Sequence, residues 1–408
     1  KKEEILMSRI PQGCRTLGGD WAEGINRCRE SFFTTFSSRG YMSFLPSGLQ
    51  LMESVWEKYP SSFRNRLVAL NSPHAEPCVL MGDPTLAALA YMSAHHAPHE
   101  RPLRLCYAQK VYRKGESSED PFETYQVGAE LLGWNGHGAE VEMLSLIMES
   151  FEKLSMPLPT IVLGDVQILK HLCSALSPEE EKSILEALSN LSYGEYYRRV
   201  EHLYPQNGSA AFLEALPRLK GGPEVLEKAR GLCPELPLED IREITMALKE
   251  LGYGKNVRLD LSLFREIGYY SGPVFDMYLS GEGRSLGGGG RYDGLLSQYG
   301  MMGQALGFNL DLERMARHAR NSSNSETVMI WGGGTSSPQA LGYARELIRL
   351  GKRTEMSWHE HAEASRELAR IRRYRWWLDG KTGQLHSLSS EKIPPLAREE
   401  WYKGEFSC

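Results

Sequence analysis

No two cysteines in this sequence stand as Cys-x-x-Cys. The seven present (Cys14, Cys28, Cys78, Cys106, Cys173, Cys233 and Cys408) are odd in number and scattered, so neither a disulfide framework nor a zinc site is expected and the thiols read as reduced. No apolar run approaches the ~18 residues that would span a bilayer, and no signal-peptide pattern opens the chain, which predicts a cytoplasmic protein. Excess positive charge is also missing. Lys and Arg number 47 against 52 Asp and Glu, for a net charge of -5 and a pI near 6.2, so there is no global attraction to nucleic acid. Nothing repeats at a fixed period, which excludes a solenoid. What the chain does have is length: 408 residues exceed one ordinary core and predict two or three domains.

Apolar residues recur at helical spacing through Ile25, Cys28, Phe32, Phe33 and Phe36, predicting a helix within residues 20–45 that stops at Ser38-Arg39-Gly40 and is followed by a strand over 41–45. A strand around 78–81, a helix over 84–95 and two long strands over 103–113 and 122–132 follow, the last two forming a hairpin whose loop, 114–121, is rich in charge. A helix over 139–154 leads to a strand at 160–163. Residues 165–252 change to helical character: Ser177-Pro178-Glu179-Glu180 offers an N-cap, a proline at the first helical position and a capping-box glutamate. Strands resume at 257–263 and 274–279, a glycine-rich turn occupies 287–290, and a helix covers 312–318. Asn321-Ser322-Ser323-Asn324-Ser325 reads as a linker. The small α/β unit beyond it has a strand at 328–331, a turn at Gly332-Gly333-Gly334 and a helix over 338–350.

The chemistry concentrates on the hairpin. On one strand, Gln126, Gly128 and Glu130 share a face, so an amide and a carboxylate point into one cleft, with Arg113 supplied by the partner strand. Such a face can hold an amino acid. Further on, Tyr269-Tyr270-Ser271-Gly272-Pro273-Val274-Phe275-Asp276, Gly287-Gly288-Gly289-Gly290-Arg291-Tyr292-Asp293-Gly294 and Ala305-Leu306-Gly307-Phe308-Asn309-Leu310-Asp311-Leu312-Glu313-Arg314 follow in order. An imidazole needs a donor and an acceptor facing its two nitrogens, which Glu130 with the hydroxyl of Tyr269 or Tyr270 supplies. The bland alternative is that each segment is ordinary strand sequence.

These segments resemble the histidine-binding signatures and motif 3 of class II histidyl-tRNA synthetases, and Arg104-Leu105-Cys106-Tyr107, Tyr112-Arg113 and Tyr125-Gln126-Val127-Gly128-Ala129-Glu130 resemble motif 2. The resemblance implies that Gln126 and Glu130 engage the amino group and imidazole of histidine, and that Arg113 reaches carboxylate or α-phosphate. It also implies that Asp83 and Thr85 of Met81-Gly82-Asp83-Pro84-Thr85 help hold the amino group, in a segment that has lost the family's arginine. Arg265 and Arg314 match arginines that contact substrate carboxylate or phosphate and the ATP tail. The implied histidine site is therefore Asp83, Thr85, Arg113, Gln126, Glu130, Arg265, Tyr269 and Tyr270.

The nucleotide side departs from that pattern. The hairpin loop and the next strand carry Glu116, Glu119, Asp120 and Glu123, with Lys114 as the one cation, a set expected to repel ATP. Motif 3 reads Leu310-Asp311-Leu312-Glu313-Arg314, with a carboxylate where the family has glycine, which adds negative charge near the expected phosphates, and Gly268 stands where an aspartate usually precedes the two tyrosines. The combination resembles the regulatory subunits of ATP phosphoribosyltransferase, synthetase paralogues that do not charge tRNA. That resemblance implies an α+β fold with a class II synthetase-like antiparallel core (1–164 and 253–320), a helical insertion (165–252) and a small C-terminal α/β domain (326–408). It implies a dimeric core with Phe44–Pro46 near the interface, and a short-form ATP phosphoribosyltransferase catalytic subunit as partner, in a hetero-octamer. L-histidine is then the ligand. No cofactor belongs to this chain, since ATP, phosphoribosyl pyrophosphate and Mg²⁺ sit on the partner. An active histidyl-tRNA synthetase and a histidine-binding scaffold for another partner are the alternatives.

Other features carry plainer readings. Gly287–Gly290 does not fit a P-loop. His95, His96 and His99 read as a surface loop rather than a metal site. Arg366, Arg370, Arg372, Arg373 and Arg375 with Trp376 and Trp377 could touch RNA, but the interspersed Glu363 and Glu367 favour a solvated helix face.

Overall fold

The computed structural model describes residues 10–115, 120–134, 136–174, 176–189, 192–202, 209–263, 265, 269–319, 327–334, 337–388 and 394–401. Glu116, Glu119, Gly268, the linker 321–325 and Cys408 lie outside them. The chain divides into two compact units, Lys1–Arg320 and Asn321–Cys408.

In the first unit the strands Met42–Ser43, Leu103–Tyr112, Glu123–Trp134, Gln304–Asp311, Gly287–Arg291, Pro273–Tyr278, Thr160–Asp165, Val257–Asp260 and Lys220–Gly221 lie side by side in that order as one sheet. Pairing is antiparallel through the centre and parallel where Met42–Ser43 meets Leu103–Tyr112 and where Thr160–Asp165 meets Val257–Asp260. The long hairpin is buried on both faces: Leu105 and Tyr107 lie on the face that Gly128 and Glu130 share, and Cys106, Val127, Ala129 and Leu131 lie on the other.

One face of the sheet is covered by the helices Gly19–Ser37 and Gly138–Lys153. The first buries Ile25, Cys28, Phe32 and Phe36, the helical stripe legible in the sequence. Phe32 packs edge-on to Phe151, at 6.0 Å between ring centroids, and Phe36 lies 5.5 Å from Phe308 of the sheet. The helices Val166–Cys173, Pro178–Ser189, Tyr193–His202, Ser209–Ala215, Glu224–Leu232 and Glu239–Glu250 occupy the helical stretch. Their buried Ile184, Tyr196, Phe212 and Ile244 join the same apolar cluster as Phe32 and Phe151. The capping box forms: Ser177 N donates to Glu180 Oε2 at 2.8 Å, and Glu180 N to Ser177 Oγ at 3.4 Å.

Two regions differ from the sequence reading. Residues 46–77, left without elements, form two strands of a small three-stranded sheet, Leu49–Leu51 and Ala69–Asn71, either side of Pro77–Leu80. The glycine run, read as a turn, is instead the strand Gly287–Arg291 in the middle of the sheet. A Cβ at Gly289 would lie 2.0 Å from the carbonyl oxygen of Gly307 on the neighbouring strand. The glycines are there for close backbone approach, not to turn the chain.

The second unit is a four-stranded sheet ordered Arg353–Ser357, Thr327–Trp331, Trp376–Asp379, Leu385–Ser387, with the helices Pro338–Arg349 and Ala362–Ile371. Trp376 and Trp377 are buried in its core, which removes them as stacking platforms for RNA. Arg370 pairs with Glu363 and Glu367 at 3.4 and 3.3 Å, as a solvated helix face would. Among the described residues no helix is long and apolar enough to cross a membrane.

Candidate functional site

Glu130 lies near the middle of the strand Glu123–Trp134, between Leu105 and Gly307 on the flanking strands, and is 0% exposed. Three hydroxyls donate to it: Thr85 Oγ1 to Oε1 at 3.0 Å, the Tyr107 hydroxyl to Oε1 at 3.3 Å, and the Tyr292 hydroxyl to Oε2. Burial pushes the carboxyl up to about 8, and the nearby charge of Asp83 adds to this, while the three donors oppose it. Burial likewise holds the Tyr107 and Tyr292 phenols well above their ordinary value, so both remain hydrogen-bond donors at neutral pH. Gly307 makes room for the carboxylate, since a Cβ there would sit 1.8 Å from Glu130 Oε2.

Asp83 and Thr85 bring a second edge to the pocket. The Asp83 carboxylate is buried. Its Oδ1 accepts from Thr85 N at 2.8 Å, and Oδ2 lies 3.6 Å from Arg113 Nη2. Arg113 Nε donates to the Gly82 carbonyl at 2.7 Å, and its guanidinium lies 5.3 Å from the Phe63 ring centroid. Asp83 Oδ2, Arg113 Nη2 and Gln126 Oε1 are buried polar atoms without a hydrogen-bond partner. Buried polar atoms are rarely left unpaired without a reason. Two acceptors and a cationic donor match what an ammonium and a carboxylate require.

The sequence reading gave Tyr269 or Tyr270 the hydroxyl beside Glu130. In the structure the tyrosines that reach it are Tyr107 and Tyr292, neither of which was assigned a role. Tyr269 packs edge-on to Tyr292, 5.7 Å between ring centroids, and against Tyr270 at 5.2 Å. Tyr107 could have been found by register, because it pairs with Gly128 and faces the gap that glycine leaves. A Cβ on Gly128 would lie 2.4 Å from the Tyr107 hydroxyl. Arg265 sits at the far side: Nη1 donates to the Phe275 carbonyl at 3.0 Å and to Asp276 Oδ1, and its guanidinium lies 5.9 Å from the Tyr270 ring centroid.

On the nucleotide side, residues from outside the hairpin join the loop. A cavity of about 270 Å³ is lined by Arg66, Arg113, Arg284 and Arg314 together with Asp120. Arg66 and Arg284 come from segments distant in sequence and bring positive charge that the loop alone does not carry, while Glu116 and Glu119 lie outside the described residues. Arg284 pairs with Asp120 at 2.9 Å. Arg314 is engaged by Asp311 at 3.2 Å and by the Ser285 carbonyl at 3.2 Å. The motif 3 carboxylates also have structural work. Asp311 caps the helix Leu312–His318, accepting from Glu313 N and Arg314 N at 2.8 and 3.0 Å. Glu313 is held by Arg15 at 2.7 Å. Among the described residues no three His, Cys, Asp or Glu side chains gather as a metal would need.

A mostly antiparallel sheet, with an amino-acid-sized constellation on its central strands and an arginine-lined cavity at the hairpin's end, defines a class II aminoacyl-tRNA synthetase fold. The family model described as histidyl-tRNA synthetase matches residues 13–315. The chain belongs to that family. Among relatives it is 28% identical to an ATP phosphoribosyltransferase regulatory subunit of Moorella thermoacetica, over 76% of this chain and 82% of that protein. It is 27% identical to one of Bacillus cereus, over 98% and 97%. Among solved structures, an ATP phosphoribosyltransferase regulatory subunit/histidyl-tRNA synthetase from Bacillus halodurans superposes with a TM-score of 0.79 at 23% identity, over 89% of this chain and 96% of that one. Histidyl-tRNA synthetase from Nostoc sp. PCC 7120 gives 0.79 at 17% identity, over 96% and 97%. These two share the fold.

Proposed function

We propose that this chain is a non-catalytic regulatory subunit of ATP phosphoribosyltransferase that binds histidine in the Glu130 pocket and passes feedback inhibition to a short-form catalytic partner. The observation that carries the ligand is the fully buried Glu130 under the hydroxyls of Thr85, Tyr107 and Tyr292, together with the buried atoms of Asp83, Arg113 and Gln126 that lack a hydrogen-bond partner. A site built on such bonds rejects side chains lacking the imidazole nitrogens by factors of ~10⁴. The names of the Moorella and Bacillus relatives support the regulatory role. Histidine regulates if it binds one assembly state better than another, a 100-fold preference corresponding to about 2.7 kcal/mol of coupling. ATP, phosphoribosyl pyrophosphate and Mg²⁺ act on the partner in this reading, and the chain itself carries no cofactor.

The four arginines of the 270 Å³ cavity favour a second reading, an active histidyl-tRNA synthetase, because a triphosphate is neutralised by such donors. Isothermal titration of histidine, with histidine-dependent ATP–pyrophosphate exchange on the same sample, separates the two. Binding without exchange supports the regulatory subunit; binding with exchange supports the synthetase; no binding removes histidine as the ligand.

A further inference from the structure

We propose that Asp240, on the helix Glu239–Glu250, is a positioning residue for Tyr292 and for the loop Tyr269–Gly272, acting through Arg291. Arg291 is the last residue of the glycine strand, and its side chain is buried. Nε donates to Glu140 Oε1 at 2.7 Å and Nη1 to Asp240 Oδ2 at 3.0 Å. On the loop side, the Arg291 carbonyl accepts from Ser271 N at 2.8 Å. Its aliphatic stem packs on Gly272, where a Cβ would lie 3.1 Å from Arg291 Cδ. The next residue is Tyr292, the donor to Glu130. The loop is tied back again: Asp293 N donates to Ser271 Oγ at 2.9 Å, and Val166 N to the Gly272 carbonyl at 3.2 Å.

One guanidinium thus joins the pocket to two helices. Glu140 is fixed in the core, with a side chain 2% exposed, whereas Asp240 is 30% exposed and arrives on a helix 51 residues earlier in sequence. His137 clasps the same helix, 3.4 Å from Asp240 and 3.6 Å from Glu243. Asp240 is the member of the set that a movement of its helix would withdraw, leaving Arg291 with one carboxylate and freeing the backbone that carries Tyr292. A partner that displaces this helix would therefore change the pocket, and a ligand that tightens the pocket would hold the helix. That coupling is reciprocal.

The ligand in this inference is the histidine of the proposed function, so the test has a ligand-free arm. Backbone amide exchange at Ser271 and Tyr292 is compared in the whole chain, without ligand, for the wild type, Asp240→Asn, Asp240→Glu and the same-helix control Met246→Ala, whose side chain is exposed. Asp240→Asn is expected to raise exchange at these amides by roughly tenfold and to raise the Kd for histidine in step. Asp240→Glu is expected to restore both, and Met246→Ala to change neither. Unchanged exchange at Ser271 and Tyr292 in Asp240→Asn, or an equal rise across the whole sheet, overturns the proposal. If the wild type binds no histidine, the proposed ligand fails, and the exchange arm still decides the coupling.

Discussion

The Tyr292 hydroxyl donates to Glu130 Oε2, so the tyrosine that follows the glycine strand is tied to the buried carboxylate of the hairpin. Substituting Glu130 by Gln keeps the shape and removes the group that shares a proton with the imidazole. Since a hydrogen bond to a charged group contributes ~1.5–3 kcal/mol, histidine affinity is expected to fall roughly 10- to 100-fold. Titration calorimetry with a thermal melt on the same variant checks it; unchanged affinity in a folded variant would place the imidazole elsewhere.

The carboxyl of Glu130, pushed up to about 8, sets a pH profile for binding. The bound pair shares one proton between imidazole and Glu130. Free Glu130 holds that proton below about 8, and free imidazole takes up a second one below ~6.5. Affinity should therefore be flat between these values, fall as pH drops below the lower because a proton must leave, and fall above the upper because one must be taken up. Histidine titrations from pH 5.5 to 9.5 in buffers of different ionisation enthalpy read both limbs.

The same group makes a stability prediction in the ligand-free chain. Its folded value lies above its unfolded one, so the folded state binds more protons and stability is lost as pH rises from the ordinary carboxylate range through about 8. Asp165, pushed up to about 7 mainly by burial, acts in the same direction over a lower window and is unaffected by a change at Glu130. The difference in Tm between Glu130→Gln and the wild type should thus grow in favour of the variant between pH 5 and 9. A difference independent of pH would mean that Glu130 titrates normally.

Gly307→Ala tests the packing around the carboxylate. The new Cβ would stand 1.8 Å from Glu130 Oε2 and 2.6 Å from its Cδ, so the carboxyl must move off the Tyr292 hydroxyl. Histidine binding should be lost, with a stability cost of ~1–3 kcal/mol. Gly294→Ala, which meets no atom within 4 Å, should leave binding intact; equal behaviour of the two variants would contradict the geometry.

Much of this was legible in the sequence where one strand or helix carries the signal. The stripe Ile25, Cys28, Phe32 and Phe36 became the buried face of its helix, and the alternation through Gln126, Gly128 and Glu130 placed two polar side chains on one strand face. Pairings between distant segments were not legible. Tyr107 and Tyr292 reach Glu130 through strand register, and Arg66 and Arg284 reach the hairpin cavity from elsewhere in the chain. The glycine run misled for a related reason: glycine serves close backbone approach within a sheet as readily as a turn, and the neighbours that decide between them are remote in sequence.

The most direct test is to titrate this chain into a short-form ATP phosphoribosyltransferase catalytic subunit and follow formation of phosphoribosyl-ATP with and without histidine. The account predicts that the rate rises as the chain is added, falls again with histidine, and needs more histidine when the chain carries Glu130→Gln. A rate that ignores the chain, or inhibition by histidine that is the same with Glu130→Gln, would contradict it.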